Sequence, residues 1–189
     1  QIGLYIVHTF AALACGAVLL RFLFQVVRAD FYNPFSQLLV KITNPLLMPL
    51  RKVIPGLGGY DLAAVLLAFI LYCIFLLLSL VVAGNPPGIY GGGLFIWSLF
   101  GIIILVINIY LFSVFIVAIA SFIAPHSHHF LLLLLRQLVE PVLSPLRKVI
   151  PPISGFDFSF MATVMLIYIV SMLIKGIAMS LGAPLPLMP

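Results

Sequence analysis

Apolar residues fill this chain in four long blocks, not in alternation and not in narrow helical stripes. A helix needs about 20 mostly apolar residues to cross the hydrocarbon of a bilayer. Four stretches meet that length: about Ile2 to Val27, Leu62 to Ala83, Leu94 to Ala124 and Phe158 to Leu181. The third is longer than a span requires and should tilt or project. The first ends without a small-residue cleavage pattern and reads as a retained span, not a removable leader. Between the second and third lies Gly84-Asn-Pro-Pro-Gly-Ile-Tyr-Gly-Gly-Gly93, an uncharged run of helix breakers.

Two shorter segments depart from this pattern. Asn33 can cap a helix with Pro34 at its first position. Phe35, Leu38, Leu39 and Ile42 then share one helical face, with Ser36, Gln37 and Lys41 elsewhere. The counterpart, Phe130 to Val139, is apolar apart from Arg136 and Gln137. Both are too short to span and read as interfacial or shallow re-entrant amphipathic helices. Proline removes an amide donor and disfavours helix before it, so Pro45 and Pro49 are expected to interrupt the first of them in a kinked turn.

That turn is written twice, 96 positions apart. Asn44 to Asp61 reads NPLLMPLRKVIPGLGGYD and Glu140 to Asp157 reads EPVLSPLRKVIPPISGFD, with eleven of eighteen positions identical. Prolines, a basic pair and an aspartate in fixed order do not recur by chance in an apolar background. The chain therefore reads as a tandem duplication, residues 1–93 forming one unit and 94–189 the other.

Composition sharpens the membrane reading. Hydrophobic residues make up 65% of the chain and charged residues 7%, against roughly a quarter charged in soluble domains. Lipid must be the solvent for most of the surface. A net charge of +5 is too sparse for nucleic acid and suits anionic headgroups. Seven of the nine Lys and Arg fall in the two segments between paired spans: Arg28, Lys41, Arg51, Lys52, Arg136, Arg147 and Lys148. The excess of bases on the cytoplasmic side of membrane proteins places both segments inside and both termini outside. Each unit then enters the membrane in the same sense, related by a pseudo-two-fold along the membrane normal. Cys15 and Cys73 each lie in an apolar run without ligand spacing and read as buried, reduced thiols.

Candidate chemistry is sparse. Arg51, Lys52 and Asp61 recur as Arg147, Lys148 and Asp157. Helix capping by the aspartates and headgroup anchoring by the bases explain those types. The alternative is that the two clusters meet on the pseudo-axis as a polar vestibule or docking site. Arg21, Asn108 and Lys175 are the candidate intramembrane polar residues, the spans otherwise offering mainly hydroxyls. Snorkelling suits the two bases and an interhelical hydrogen bond suits Asn108; otherwise they mark a pathway. Offset by 96, they match Val117, Ala12 and Ser79. His126, His128 and His129 cluster, but without nearby carboxylates, so no metal is expected there. Nucleophile-elbow, zincin and P-loop patterns are absent, and neither catalysis nor a cofactor is expected.

Asp-Phe-Tyr-Asn-Pro-Phe-Ser at 30–36, with Asn-Pro-x-Leu-x-Pro-Leu-Arg-Lys-Val-Ile-Pro and Gly-x-Asp following, resembles the YggT family of integral membrane proteins, in its two-copy form. Val142 is a mild departure, and Asn33-Pro34 is replaced by His129-Phe130 in the second copy. The resemblance implies a bacterial inner-membrane protein linked to osmotic tolerance and potassium homeostasis, with relatives in membrane-complex assembly, haem attachment to b-type cytochromes and cell division. Two functions are expected to compete. The first is a non-catalytic scaffold or assembly subunit bound to other membrane proteins or to itself. The alternative is an oligomeric potassium or osmolyte channel.

Overall fold

In a computed structural model the chain is described over residues 2–54, 56, 58–84, 91–123, 127–150 and 157–184. Six helices follow in order: α1 Ile2–Val26, α2 Pro34–Val53, α3 Leu62–Val82, α4 Gly93–Ile123, α5 Phe130–Val149 and α6 Ser159–Ser180. α1, α3, α4 and α6 are long and apolar enough to cross a membrane, and their ends fall close to those read from the sequence. Helices apolar on every side have no face to give to water, so lipid and neighbouring helices must cover them.

α2 and α5 run straight through their prolines, which corrects the expected interruption. α2 passes Pro45 and Pro49 to Val53, and α5 passes Pro141 and Pro145 to Val149. All four prolines sit on the exposed faces of their helices. The carbonyls left without a donor belong to Lys41, Pro45, Gln137 and Pro141, along the same exposed faces, where water or headgroups can satisfy them. Each interior proline costs about 3 kcal/mol. The opposite faces offset part of this: Leu47 and Leu143 are fully buried, and such a side chain contributes about 1.5–3 kcal/mol. The sequence-expected cap of α2 is present, with Asn33 Oδ1 accepting from Phe35 N at 3.0 Å. His129, in the corresponding place before α5, makes no side-chain cap bond.

α1 packs on α2 and α3, and α4 packs on α5 and α6. The halves join along α3 and α4, with further contacts of α1 on α4 and α5 and of α2 on α5. Close approach of α1 and α3 relies on small residues: Cys15, Ala63, Ala64 and Ala68 are all fully buried. Cys15 and Cys73 are both free, but Cys73 is only half-buried, so the expectation of two buried thiols holds for Cys15 alone. At the α3–α4 seam Gly101 makes room for Tyr72. A Cβ at Gly101 would lie 2.2 Å from the tyrosine ring.

Leu23, Phe24, Leu39, Leu134 and Leu138 fill the junction of α1, α2 and α5. Two hydrogen bonds reinforce that junction. Asn33 Nδ2 donates to the Phe130 carbonyl at 2.8 Å, and Asp30 N donates to Gln137 Oε1 at 3.0 Å. At the other end, Trp97 Nε1 donates to the Leu181 carbonyl at 3.1 Å and so ties the start of α4 to the end of α6.

Candidate functional site

Asp61 and Asp157 both start a span and both hold an arginine. Asp61 caps α3, its Oδ1 accepting from Ala64 N at 3.3 Å. Its Oδ2 takes Arg51 Nη2 in a short contact and Arg51 Nε at 3.2 Å. Asp157 Oδ1 accepts from Ser159 N at 3.0 Å, and Oδ2 accepts from Arg147 Nε at 2.9 Å. Ser159 Oγ donates to the Ile150 carbonyl at 2.8 Å, fastening the end of α5 to the start of α6. Arg147 has a second carboxylate, Glu140, at 3.0 and 3.3 Å, and its guanidinium lies 5.5 Å from the centre of the Phe160 ring. Burial alone would raise the Asp157 carboxyl. The hydrogen bonds from Arg147 and Ser159 outweigh it and hold that group below the usual carboxylate range.

Both aspartates thus take on capping and pairing together. The lysines expected beside them do not share in it: among the described residues Lys52 and Lys148 form no ion pair, and both are exposed. The two clusters are also kept apart. Each pair closes within its own half, and no described hydrogen bond or ion pair crosses between them. α2 and α5 touch instead through their N-terminal portions, at Leu39, Leu134 and Leu138.

Arg21 is anchored to α2. Its Nη1 donates to Thr43 Oγ1 at 2.6 Å, to Asn44 Oδ1 at 2.9 Å and to the Val40 carbonyl at 3.5 Å. It lines a 530 Å³ cleft with Gln25, Arg28, Asn44 and Arg51, whose apolar wall includes Phe24, Phe31 and Leu39. Gln25 Nε2 donates to the Gly59 carbonyl at 3.0 Å, linking the end of α1 to the turn before α3. Arg28 ends α1 in a left-handed conformation, φ 53°. Arg28 N donates to Gln25 O at 3.1 Å and Ala29 N to Phe24 O at 2.8 Å. This pair of bonds is the Schellman termination, in the position where glycine is usual.

A second cleft, of 300 Å³, is lined by Val117, Ser121, Arg136, Glu140 and Arg147. These are the residues 96 positions after Arg21, Gln25, Val40, Asn44 and Arg51. One arginine has changed sides between the two: Arg21 stands opposite Val40 in the first cleft, whereas Val117 stands opposite Arg136 in the second. An amide, Asn44, has become a carboxylate, Glu140. Sequence reasoning missed Asn44, Arg136 and Glu140 as cleft residues and Thr43 as a partner of Arg21. Comparing every polar position with its partner 96 residues away would have found the exchange.

The other polar residues of the spans lie elsewhere. Asn108 faces a cleft of 480 Å³ with Leu111, Phe112, Phe115, Val164 and Tyr168, where Phe112, Phe115 and Tyr168 are exposed. Lys175 is half-buried late in α6. Arg21, Asn108 and Lys175 share no described cavity. His126 lies outside the described residues; His128 and His129 are exposed, with His129 stacked on Phe130. Among the described residues no three His, Cys, Asp or Glu side chains gather as a metal would need.

The CCB3/YggT family model matches residues 1–82 and 96–178. The uncharacterized protein PA0392 of Pseudomonas aeruginosa is 40% identical over 183 residues, covering 96% of this chain and 93% of that protein. The uncharacterized protein YggT of Escherichia coli K12 is 35% identical over 179 residues, covering 94% and 92%. An uncharacterized protein of Haemophilus influenzae is 31% identical over 155 residues, covering 79% and 78%. No solved structure matches.

Proposed function

This chain belongs to the CCB3/YggT family, and we propose that it is a non-catalytic membrane scaffold or accessory subunit that holds a larger membrane complex. The observation that carries this reading is the separation of its intramembrane polar groups. An ion crossing a bilayer must exchange its hydration for oxygens or charges along the way. Here Arg21 is tied to Thr43 and Asn44, Asn108 opens into an apolar outer cleft, and leucines fill the junction between the halves. What the chain offers instead is apolar outer surface, including Tyr5, Phe10 and Leu13 on α1 and Met161, Met165 and Met172 on α6. Neighbouring helices can pack on such a surface as readily as lipid.

In this reading the chain is two copies of one unit, residues 1–93 and 94–189, related by a pseudo-two-fold along the membrane normal. α2 and α5 lie on the cytoplasmic face of a bacterial inner membrane, their bases among anionic headgroups, and both termini are periplasmic. Tolerance of osmotic stress then reflects the complex being held. The alternative is an oligomeric potassium or osmolyte path, favoured by the outward cleft at Asn108, which a second copy would enclose. Cross-linking in native membranes, followed by purification of the full chain, should recover a stoichiometric membrane protein of another sequence. Recovery of the chain alone, or only with copies of itself, would count against the scaffold.

A further inference from the structure

The geometry points to the first cleft as a binding site for a phosphate-bearing anion, held by Arg21, Arg28 and Arg51. Three arginines line one 530 Å³ space. The carboxylate of Asp61 is engaged by Arg51 and lies within electrostatic reach of Arg21, whose own hydrogen bonds go to neutral oxygens, those of Thr43, Asn44 and Val40. All three of its bonds leave from Nη1. Among the described residues, Nε and Nη2 remain to be donated, and a fork of parallel donors is what a phosphate takes up best.

The second cleft shows what belongs in that place. There the residue matching Asn44 is Glu140, whose carboxylate lies at 3.0 Å from Arg147. That cleft carries its own anion and is the smaller of the two, 300 against 530 Å³. The first cleft has the same framework and more positive charge, with an amide in place of the acid and more room. Asp61 meets one of its three positive charges, through Arg51, and an anion from outside the chain can meet the others.

Arg28 supplies an independent sign. Glycine would serve its left-handed backbone without strain, whereas a side chain there is strained. A left-handed arginine among the residues lining a cleft fits a demand for its charge. The ligand chemistry is an anionic phosphate, which either an acidic phospholipid headgroup or a soluble phosphate provides. The wall of Phe24, Phe31 and Leu39 gives a lipid's glycerol and upper acyl carbons an apolar surface to lie on. The site does not depend on the scaffold reading; a failed search for a partner protein leaves it standing.

The test uses the purified full chain in a neutral detergent, titrated with dioctanoyl phosphatidylglycerol, dioctanoyl phosphatidylcholine or inorganic phosphate, with binding followed by calorimetry. One saturable equivalent of the anionic lipid, or of phosphate, is expected, and none of the zwitterionic lipid. Saturation by phosphatidylglycerol with no competition from phosphate assigns a headgroup; saturation by phosphate alone assigns a soluble anion. Arg28→Gly removes a cation while relieving its backbone, so it should leave the unfolding midpoint at or above wild type and weaken binding about tenfold or more. Asn44→Glu copies the second cleft into the first and should abolish binding, and raising salt should weaken whatever remains. Absence of a saturable site, or unchanged affinity in both Arg28→Gly and Asn44→Glu, overturns the assignment.

Discussion

Replacing Asp61 by asparagine should destabilise the protein more than the same change at Asp157. Asparagine caps helices about as well as aspartate, so the substitution removes the charge and spares the cap. Asp61 is 7% exposed and receives two bonds from Arg51. Hydrogen bonds to a charged group contribute about 1.5–3 kcal/mol. Breaking a fully buried pair costs about 3–5 kcal/mol. Arg51, however, is 39% exposed, so its orphaned charge can hydrate, and the cost should settle at about 1.5–3 kcal/mol. Asp157 is 20% exposed and its partner Arg147 keeps Glu140; that loss should be about 1 kcal/mol or less. Helical ellipticity followed across a mixed-micelle series of dodecylmaltoside and dodecyl sulfate gives both values. Two further variants complete the set. Arg51→Gln combined with Asp61→Asn should cost less than the sum of the singles, and Glu140→Gln should enlarge the effect of Asp157→Asn. Equal losses at the two aspartates, or strict additivity at Arg51 and Asp61, would refute the reasoning.

Asp157 has a folded-state pKa held below the usual range, so the unfolded chain binds the extra proton. Its stabilisation is present above the unfolded value of about 4 and drains away as pH falls toward the folded value. Unfolding midpoints should drop faster below about pH 4 in the wild type than in Asp157→Asn; parallel curves would remove the pair from the acid response. Gly101→Ala places a methyl 2.2 Å from the Tyr72 ring and should cost about 1–3 kcal/mol, part of which Tyr72→Ala restores. No rescue would locate the strain away from the α3–α4 seam. In a chain freed of Cys15 and Cys73, a cysteine at Gly92 should label from the periplasm and one at Lys52 only from the cytoplasm. The opposite pattern rejects the orientation.

The spans were legible because length and unbroken apolarity suffice to mark them, as at Leu62–Val82. The amphipathic helices were half legible. Asn33-Pro34 announced the start of α2, but Pro45 and Pro49 hid its length, because a proline's cost depends on which face it occupies and both lie outside. The repeat singled out Arg51, Asp61, Arg147 and Asp157, while the choice of the arginines over the lysines as partners depends on where each helix face points. Arg21 reaches Thr43 and Asn44 over more than twenty residues, a tertiary contact that local pattern does not encode. The signal that survives in the sequence is the arginine exchange, Arg21 with Val117 against Val40 with Arg136.

Potassium flux into liposomes tests the scaffold reading most directly. The purified chain, reconstituted over a range of protein-to-lipid ratios from single copies to oligomers and driven by an osmotic or potassium gradient, should show no flux above protein-free vesicles. Among the described residues Arg21, Asn108 and Lys175 share no cavity, and leucines fill the junction of α1, α2 and α5. Robust potassium flux that disappears in Asn108→Leu or Arg21→Leu would contradict the scaffold and make the chain itself the conduit.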